Sequence, residues 1–328
     1  MVSGSDMHGT PITVTAQQEG KTPEQVAMGY HELNSNSIEK MGISFDFFSH
    51  THTKEHAEIA LSILKKLDDN GYIEPRISEE PYDPVAKQFL PDRYVEGTCP
   101  HCKYESARGD QCDDCGKTLD SKELVNPRSK LNPDAKIEFK ETEHLFFKLS
   151  EFRDILLDWL SEGKEHWRPS VINFTRNWLK EGLIDRAITR DLEWGIEIPR
   201  EGYENKRMYV WFEAVMGYYS ASVHWAKNQG KPEEWKKWWE SEESEHYHFM
   251  AKDNIPFHTI IWPAMLSGCG YKLPHDVPAN EYLLLDSSQF SKSRRHAIWI
   301  PDYLDRYDPE LLRFYLAAIM PEQKDANF

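Results

Sequence analysis

Met208-Tyr-Val-Trp-Phe-Glu-Ala-Val-Met-Gly-Tyr218 opens with an apolar, aromatic run and closes on small residues. It reads as a strand over 208–212 feeding a helix. The same alternation recurs outward along the chain. Residues 2–10 read as the tail of a strand and a turn. Thr22 is a helix N-cap, Pro23 fits the first helical position, and Gly42 suits the stop. A second helix begins after Thr53, with Ala57, Ala60, Leu61, Leu64 and Leu67 at helical spacing and Gly71 closing it. Helical periodicity returns over 152–160 and 171–179. A further strand is expected over 282–285. A last helix starts at Asp308-Pro309 and turns Leu311, Leu312, Tyr315 and Leu316 inward. Strands alternating with helices make this an α/β chain with a parallel sheet and crossover helices. Between 72 and 140, seven prolines exclude long helices and leave short extended pieces and turns.

The totals narrow the class. The chain has 328 residues, 39% hydrophobic and 29% charged, with a formal net charge of −16. That balance argues against a protein that coats nucleic acid over its whole surface. No uninterrupted apolar run reaches the ~18 residues of a membrane span. The first ten residues lack the basic and apolar regions of a secretory signal, so a cytoplasmic protein is expected.

Four of the five cysteines form Cys99-Pro-His-Cys102 and Cys112-Asp-Asp-Cys115, a CxxC–x9–CxxC pattern flanked by Gly97 and Gly116. Two such turns aim four thiolates at one point and suit tetrahedral Zn²⁺, closed to water and therefore structural. A redox disulfide and an iron site are the alternatives that the same spacing allows. His101, Asp110, Asp113 and Asp114 are solvated neighbours in this reading. Cys269, between Gly268 and Gly270, reads as a small packing residue.

Phe290-Ser-Lys-Ser-Arg-Arg295 is the most basic patch of an acidic chain. Its small hydroxyl residues and the mobile charge of Lys292 suit phosphate oxygens. A basic surface loop is the bland alternative. The loop follows an expected strand, and α/β sheets bind ligands beyond strand C-termini.

Six ordered stretches together resemble the methionine–tRNA ligase family of class I aminoacyl-tRNA synthetases. They are Ser3-Gly-Ser-Asp-Met-His-Gly-Thr-Pro11; Phe89-Leu-Pro-Asp-Arg-Tyr94 with the cysteine knuckle; Arg186-Ala-Ile-Thr-Arg-Asp191 with Trp194-Gly195; Tyr209-Val-Trp-Phe-Glu-Ala-Val-Met-Gly-Tyr218; Lys252-Asp-Asn-Ile-Pro-Phe-His258 with Trp262-Pro-Ala-Met265; and Phe290-Ser-Lys-Ser-Arg294.

The resemblance implies a Rossmann-like parallel sheet interrupted by an inserted connective domain that holds zinc on Cys99, Cys102, Cys112 and Cys115. It divides the chain into 1–53 and 208–282 as catalytic halves, 54–207 as the insertion with the knuckle at about 89–130, and 283–328 as a lysine-loop segment. It implies that methionine and ATP, carried with Mg²⁺, give methionyl-adenylate and pyrophosphate, and that the methionyl group then passes to tRNA(Met).

By the same resemblance, Asp6 holds the ammonium of methionine. Trp211, Ala214, Tyr218 and His258 form the pocket for its thioether chain, whose sulfur suits aromatic walls. Arg190 serves amino-acid activation, Asp253 meets the adenosine ribose, and Lys292 with Ser291 and Ser293 holds the triphosphate as pyrophosphate departs.

The pattern also departs from the family. The His-Ile-Gly-His signature precedes the Ser3–Pro11 segment in the family and is not found here. Residue 328 comes before the helical anticodon-binding domain expected in the family. Gln289 replaces the first loop lysine, and Val215 stands where many members have proline. These departures lead to the expectation of weak or no activity by the chain alone, with a polypeptide supplying the signature segment as a candidate partner. The alternatives are an inactive paralogue that binds methionine or a partner protein, a zinc-ribbon nucleic-acid binder, and a synthetase for leucine, isoleucine, valine or cysteine.

Overall fold

The computed structural model describes residues 1–91, 94–109, 112, 114, 119–130, 132, 135–290 and 295–328. The chain divides into two compact units, one of Met1–Tyr72, Lys148–Asp185 and Val210–Phe328, the other of Ile73–Phe147 and Arg186–Tyr209. The second is shorter than the insertion expected over 54–207. The helix Lys54–Asp69 and residues 148–185 pack with the first unit.

The first unit opens with β1 (Val2–Ser5), α1 (Thr10–Glu19), α2 (Pro23–Lys40), β2 (Phe47–His50) and α3 (Lys54–Asp69). β1 and β2 pair in parallel, Val2 opposite Phe47 through Ser5 opposite His50, with the helices as crossover. The α2 boundaries follow from local chemistry. Thr22 accepts from the Gln25 amide while the Gln25 side chain accepts from the Thr22 amide, and Gly42 takes a left-handed φ of 68° past the end. Thr53 caps α3 by accepting from the His56 amide, and α3 buries Ala60, Ile63, Leu64 and Leu67 but also His56. Ala57 and Leu61 are only half-buried.

Further parallel pairs join Met250–Ala251 to Ala279–Asn280 and Leu283–Leu285 to Ala326–Asn327. Among the described residues the parallel sheet therefore consists of separate two-strand pairings, the last extended by the antiparallel hairpin to Ser288–Gln289. The core gathers Phe152, Leu156, Leu160, Leu179, Met216, Ile260, Trp262 and Met265, all at most 1% exposed. Gly268 is required where the chain passes α3: a Cβ there would lie 2.7 Å from Leu67 and 3.0 Å from Phe152. Beside it Cys269 is buried and its thiol is pushed up to about 11 by burial, the state of an inert packing residue.

Three expectations from the sequence are corrected. The strand over 208–212 is confined to Arg207–Met208, and a helix already runs over Val210–Glu213. Residues from Thr10 continue into α1 instead of ending in a turn. The last helix, Pro309–Ala318, is capped by Asp308 as expected, but it buries only Leu312; Leu311 and Tyr315 are exposed.

The second unit is antiparallel. Ile73–Asp83 pairs with Glu138–Phe147 over ten positions, flanked by Gln88–Phe89 and Arg186–Ala187. Val95–Thr98 runs between Ala107–Arg108 and Val125–Ser129. No helix of the described residues is long and apolar enough to cross a membrane.

Candidate active site

A cavity of about 210 Å³ opens at the C-terminal ends of β1 and β2 in the first unit. Parallel strands commonly present ligand sites at that end. Ser3 to Asp6 and Ser49 to Thr51 form its floor. Trp211, Ala214, Val215, Gly217 and Tyr218 form one wall, and Asn254, Phe257 and His258 the other. The five residues assigned to methionine from the sequence, Asp6, Trp211, Ala214, Tyr218 and His258, thus line one cavity. Gly4 makes the floor possible, because a Cβ there would lie 2.6 Å from the Ser49 carbonyl oxygen.

Asp6 follows the last residue of β1. Asp6 is an exposed residue, yet protein encloses its carboxyl within the cavity lining. That enclosure, and secondarily the charge of Glu213, raise its pKa to about 8 against a weaker opposing hydrogen bond from the His8 amide. The amide of Met7 is fixed by Thr51 Oγ1 at 3.0 Å, and Met7 itself is buried.

The two walls meet where Tyr218 Oη lies 2.7 Å from His258 Nε2. His258 Nδ1 lies 2.9 Å from the Asn254 carbonyl, which can only accept. Nδ1 is therefore the protonated nitrogen and Tyr218 donates to Nε2. Burial lowers the His258 pKa and pushes the Tyr218 phenol up to about 12, so both stay neutral. His248 packs edge-on against Tyr218 and is kept neutral by burial, its pKa lowered to about 3. Trp211 stacks on Phe257 with centroids 4.7 Å apart. His258 sits in a π-helical turn, Phe257–Ile261, in which the Trp262 amide bonds the Phe257 carbonyl; Pro263 follows. Such turns recur at functional sites.

Behind this wall lies a group that the sequence reading did not single out. Glu213, fully buried, accepts from His8 Nδ1 at 2.8 Å and from His56 Nε2 at 2.7 Å. His56 Nδ1 meets Ser220 Oγ at 2.8 Å, and His8 Nε2 meets His52 Nδ1 at 3.1 Å. Burial opposes the Glu213 charge, but the two imidazoles outweigh it and hold the carboxyl below its ordinary value. A glutamate inside an otherwise apolar helical stretch was the one available signal.

Among the described residues, Asp253 and Arg190 are not in the cavity lining. Asp253 is exposed on the short Lys252–Asn254 turn, next in sequence to the lining residue Asn254. Ser291, Lys292 and Ser293 lie outside the described residues, which resume at Arg295. Arg190 belongs to the second unit, where its guanidinium bonds the Ala187 and Thr189 carbonyls and covers the Tyr209 ring at 4.2 Å. Its neighbour Asp191 pairs with Lys206 at 2.7 Å and His144 at 3.3 Å.

In the second unit Cys99, Cys102 and Cys112 bring their sulfurs within 4.8 Å of one another, with Cys102 and Cys112 at 3.6 Å. Zn–S bonds of about 2.3 Å in a tetrahedron separate sulfurs by about 3.8 Å, so this donor set fits Zn²⁺. Burial raises the Cys99 pKa, but the Cys102 and His101 amides and the neighbouring thiols outweigh it and bring it to about 7. Leu90, Val95, Ala107, Leu119, Leu124 and Ile137 form one buried cluster with Cys99 and Cys112, while Cys102 is exposed. Cys115 lies outside the described residues.

An acid at the ends of parallel strands, facing apolar and aromatic walls, is built for a small ligand with a cationic head and an apolar tail. The chain belongs to the class I tRNA synthetases (M), whose family model matches residues 1–328. It is 56% identical over 329 residues to the methionine–tRNA ligase of Dehalococcoides mccartyi, covering 100% of this chain and 59% of that protein. It is 52% identical over 330 residues to the methionine–tRNA ligase of Thermomicrobium roseum, covering 100% and 56%. The fold matches that of Mycobacterium tuberculosis methionyl-tRNA synthetase bound by methionyl-adenylate, with a TM-score of 0.72 at 19% identity, covering 100% of this chain and 58% of that one. The chain thus spans less than three fifths of the length of each of these relatives.

Proposed function

We propose that this chain carries the amino-acid site of a methionine–tRNA ligase. In that reading it binds methionine, joins it to ATP as methionyl-adenylate with release of pyrophosphate, and delivers the methionyl group to tRNA(Met). The observation that supports it is the gathering of Asp6, Trp211, Ala214, Tyr218 and His258 around one cavity. At about 210 Å³ the cavity is smaller than the ~300–1,000 Å³ of drug-sized ligand pockets and suits one amino acid. The methionyl-adenylate held by the tuberculosis structure agrees with this choice of ligand.

In this function the ionised Asp6 receives the ammonium of methionine, a charge-assisted contact. Trp211 and Phe257 flank the thioether tail, and the neutral Tyr218–His258 pair offers no charge to which it would have to adapt. The substrate carboxylate attacks the α-phosphorus, so no protein nucleophile is required. Lys292, with Ser291 and Ser293, neutralises charge on the departing pyrophosphate. Arg190 assists activation and Asp253 meets the ribose. Mg²⁺ accompanies ATP. The second unit is the connective insertion, and Cys99, Cys102, Cys112 and Cys115 hold a structural Zn²⁺ there.

The test is calorimetric titration with methionine together with methionine-dependent ATP–pyrophosphate exchange, on wild type and Asp6→Asn. Methionine binding in wild type, lost in Asp6→Asn, is expected; the exchange signal, expected weak or absent in the chain alone, reports whether it also carries activation. Methionine binding that Asp6→Asn leaves unchanged would place the amino acid elsewhere and sink this reading.

A further inference from the structure

Glu213 lies outside the cavity lining, yet one of its two carboxylate contacts leads back to the turn that presents Asp6. Its Oε1 anchors the His8 imidazole, and the backbone amide of the same His8 donates to Asp6 Oδ1 at 3.3 Å. The other face of the turn is tied by Met7 to Thr51. On the far side, Oε2 is held by His56, which Ser220 meets in turn, and Ser220 Oγ also donates to the Gly217 carbonyl in the cavity wall. Glu213, His8, His56 and Ser220 are all at most 7% exposed. A buried carboxylate is costly unless paired, and its field is poorly screened by solvent. It therefore acts on its nearest acidic neighbour both through the turn geometry and through charge.

We propose that Glu213 is a positioning residue for the ammonium subsite, fixing the Asp6–Met7–His8 turn through His8 and setting a buried negative charge behind Asp6. The inference rests on the reading that Asp6 binds the amino acid's ammonium, and it adds how that subsite is set. The charge of Glu213 disfavours a second negative charge at Asp6, which agrees with the raised Asp6 pKa. The other titratable groups around Asp6 are His8 and His52 on the Glu213 side, His56 beyond Glu213, and His50, Tyr218 and His258 lining the cavity. Burial keeps the last two neutral, and burial followed by the surrounding histidines holds His50 at about 4. Glu213 is then the anion among these groups that adds to the larger effect of burial on Asp6. An entering ammonium stabilises ionised Asp6, the Asp6 proton leaves to solvent, and one cation and one anion end in contact.

The experiment follows the ¹³C shift of the Asp6 carboxyl with pH in the whole chain, the signal being assigned by its loss in Asp6→Asn. Glu213→Gln keeps the size and one acceptor of the side chain and removes the charge. The Asp6 midpoint is expected to fall by roughly one pH unit. The pH profile of methionine affinity is expected to move down with it. A merely architectural Glu213 would change the affinity by one factor at every pH and leave both midpoints where they were, and that result overturns the proposal. Should Glu213→Gln fail to fold, His56→Gln decides. It removes a donor that holds Glu213 ionised, so the Asp6 midpoint should fall; an unmoved midpoint overturns the proposal. Wild-type protein that binds no methionine overturns the ammonium-site reading and the proposal with it. Methionine binding with an unmoved Asp6 midpoint overturns the positioning role alone.

Discussion

Tyr218 donates its hydroxyl to His258, and the direction of that 2.7 Å bond is dictated by a backbone carbonyl on the opposite side of the imidazole. The pair bridges the two walls of the cavity. Tyr218→Phe strips the donor and leaves the buried Nε2 acceptor unmatched, a cost of about 1–3 kcal/mol. Methionine affinity should fall about tenfold, equivalent to about 1.4 kcal/mol, with the fold retained. Calorimetry against far-UV circular dichroism checks this; an unchanged Kd would remove the hydroxyl from the ligand site.

The acidity of Asp6 should be visible in stability as well as in binding. Its folded-state pKa is raised from 3.8 to about 8. Between those values the unfolded chain has released the proton and the folded chain still holds it. The folded state binds more protons there, so this group makes stability decline as pH rises across that window. Asp6→Asn removes the titration. Its melting temperature should exceed that of wild type by a few degrees at pH 8 and match it most closely below pH 4. Equal differences at both ends would show that Asp6 titrates normally.

Metal should matter locally. With Cys112→Ser, zinc measured by plasma mass spectrometry is expected to drop from stoichiometric to near zero. The apolar cluster of Val95, Leu119 and Leu124 loses its centre, so proteolysis should quicken within Ile73–Phe147. The Val210–Phe328 part of the other unit should keep its protection. Full zinc occupancy in the variant would argue for other ligands, and iron in the wild type for the alternative metal.

Helix ends were readable because they are local chemistry. Thr22 and Gly42 bracket α2, and Asp308-Pro309 opens the last helix, each through local chemistry. The stretch 208–218 misled because aromatic and β-branched residues favour strands by propensity, whereas Val210, Trp211 and Phe212 here are helical under tertiary packing. Thr10-Pro-Ile-Thr-Val-Thr15 misled in the same way, being poor in helix formers yet helical. The periodicity of Leu311, Tyr315 and Leu316 marks an apolar stripe but carries no information on what covers it. The cavity residues were legible as a set through the family pattern. Glu213 was not, because its meaning lies in His8 and His56, 205 and 157 residues away.

The π-helical turn at Phe257–Ile261 holds one residue more than ordinary helical bonding would accommodate. Each residue of an α-helix advances the direction of its side chain by about 100°. Deleting a single residue from this turn would relax it to ordinary geometry and swing everything before it by that angle relative to Trp262. His258 and Phe257 would then face away from Tyr218 and Trp211. The wall is thus a matter of count as much as of chemistry: substitutions here trade one contact for another, whereas a one-residue change in length dismantles it.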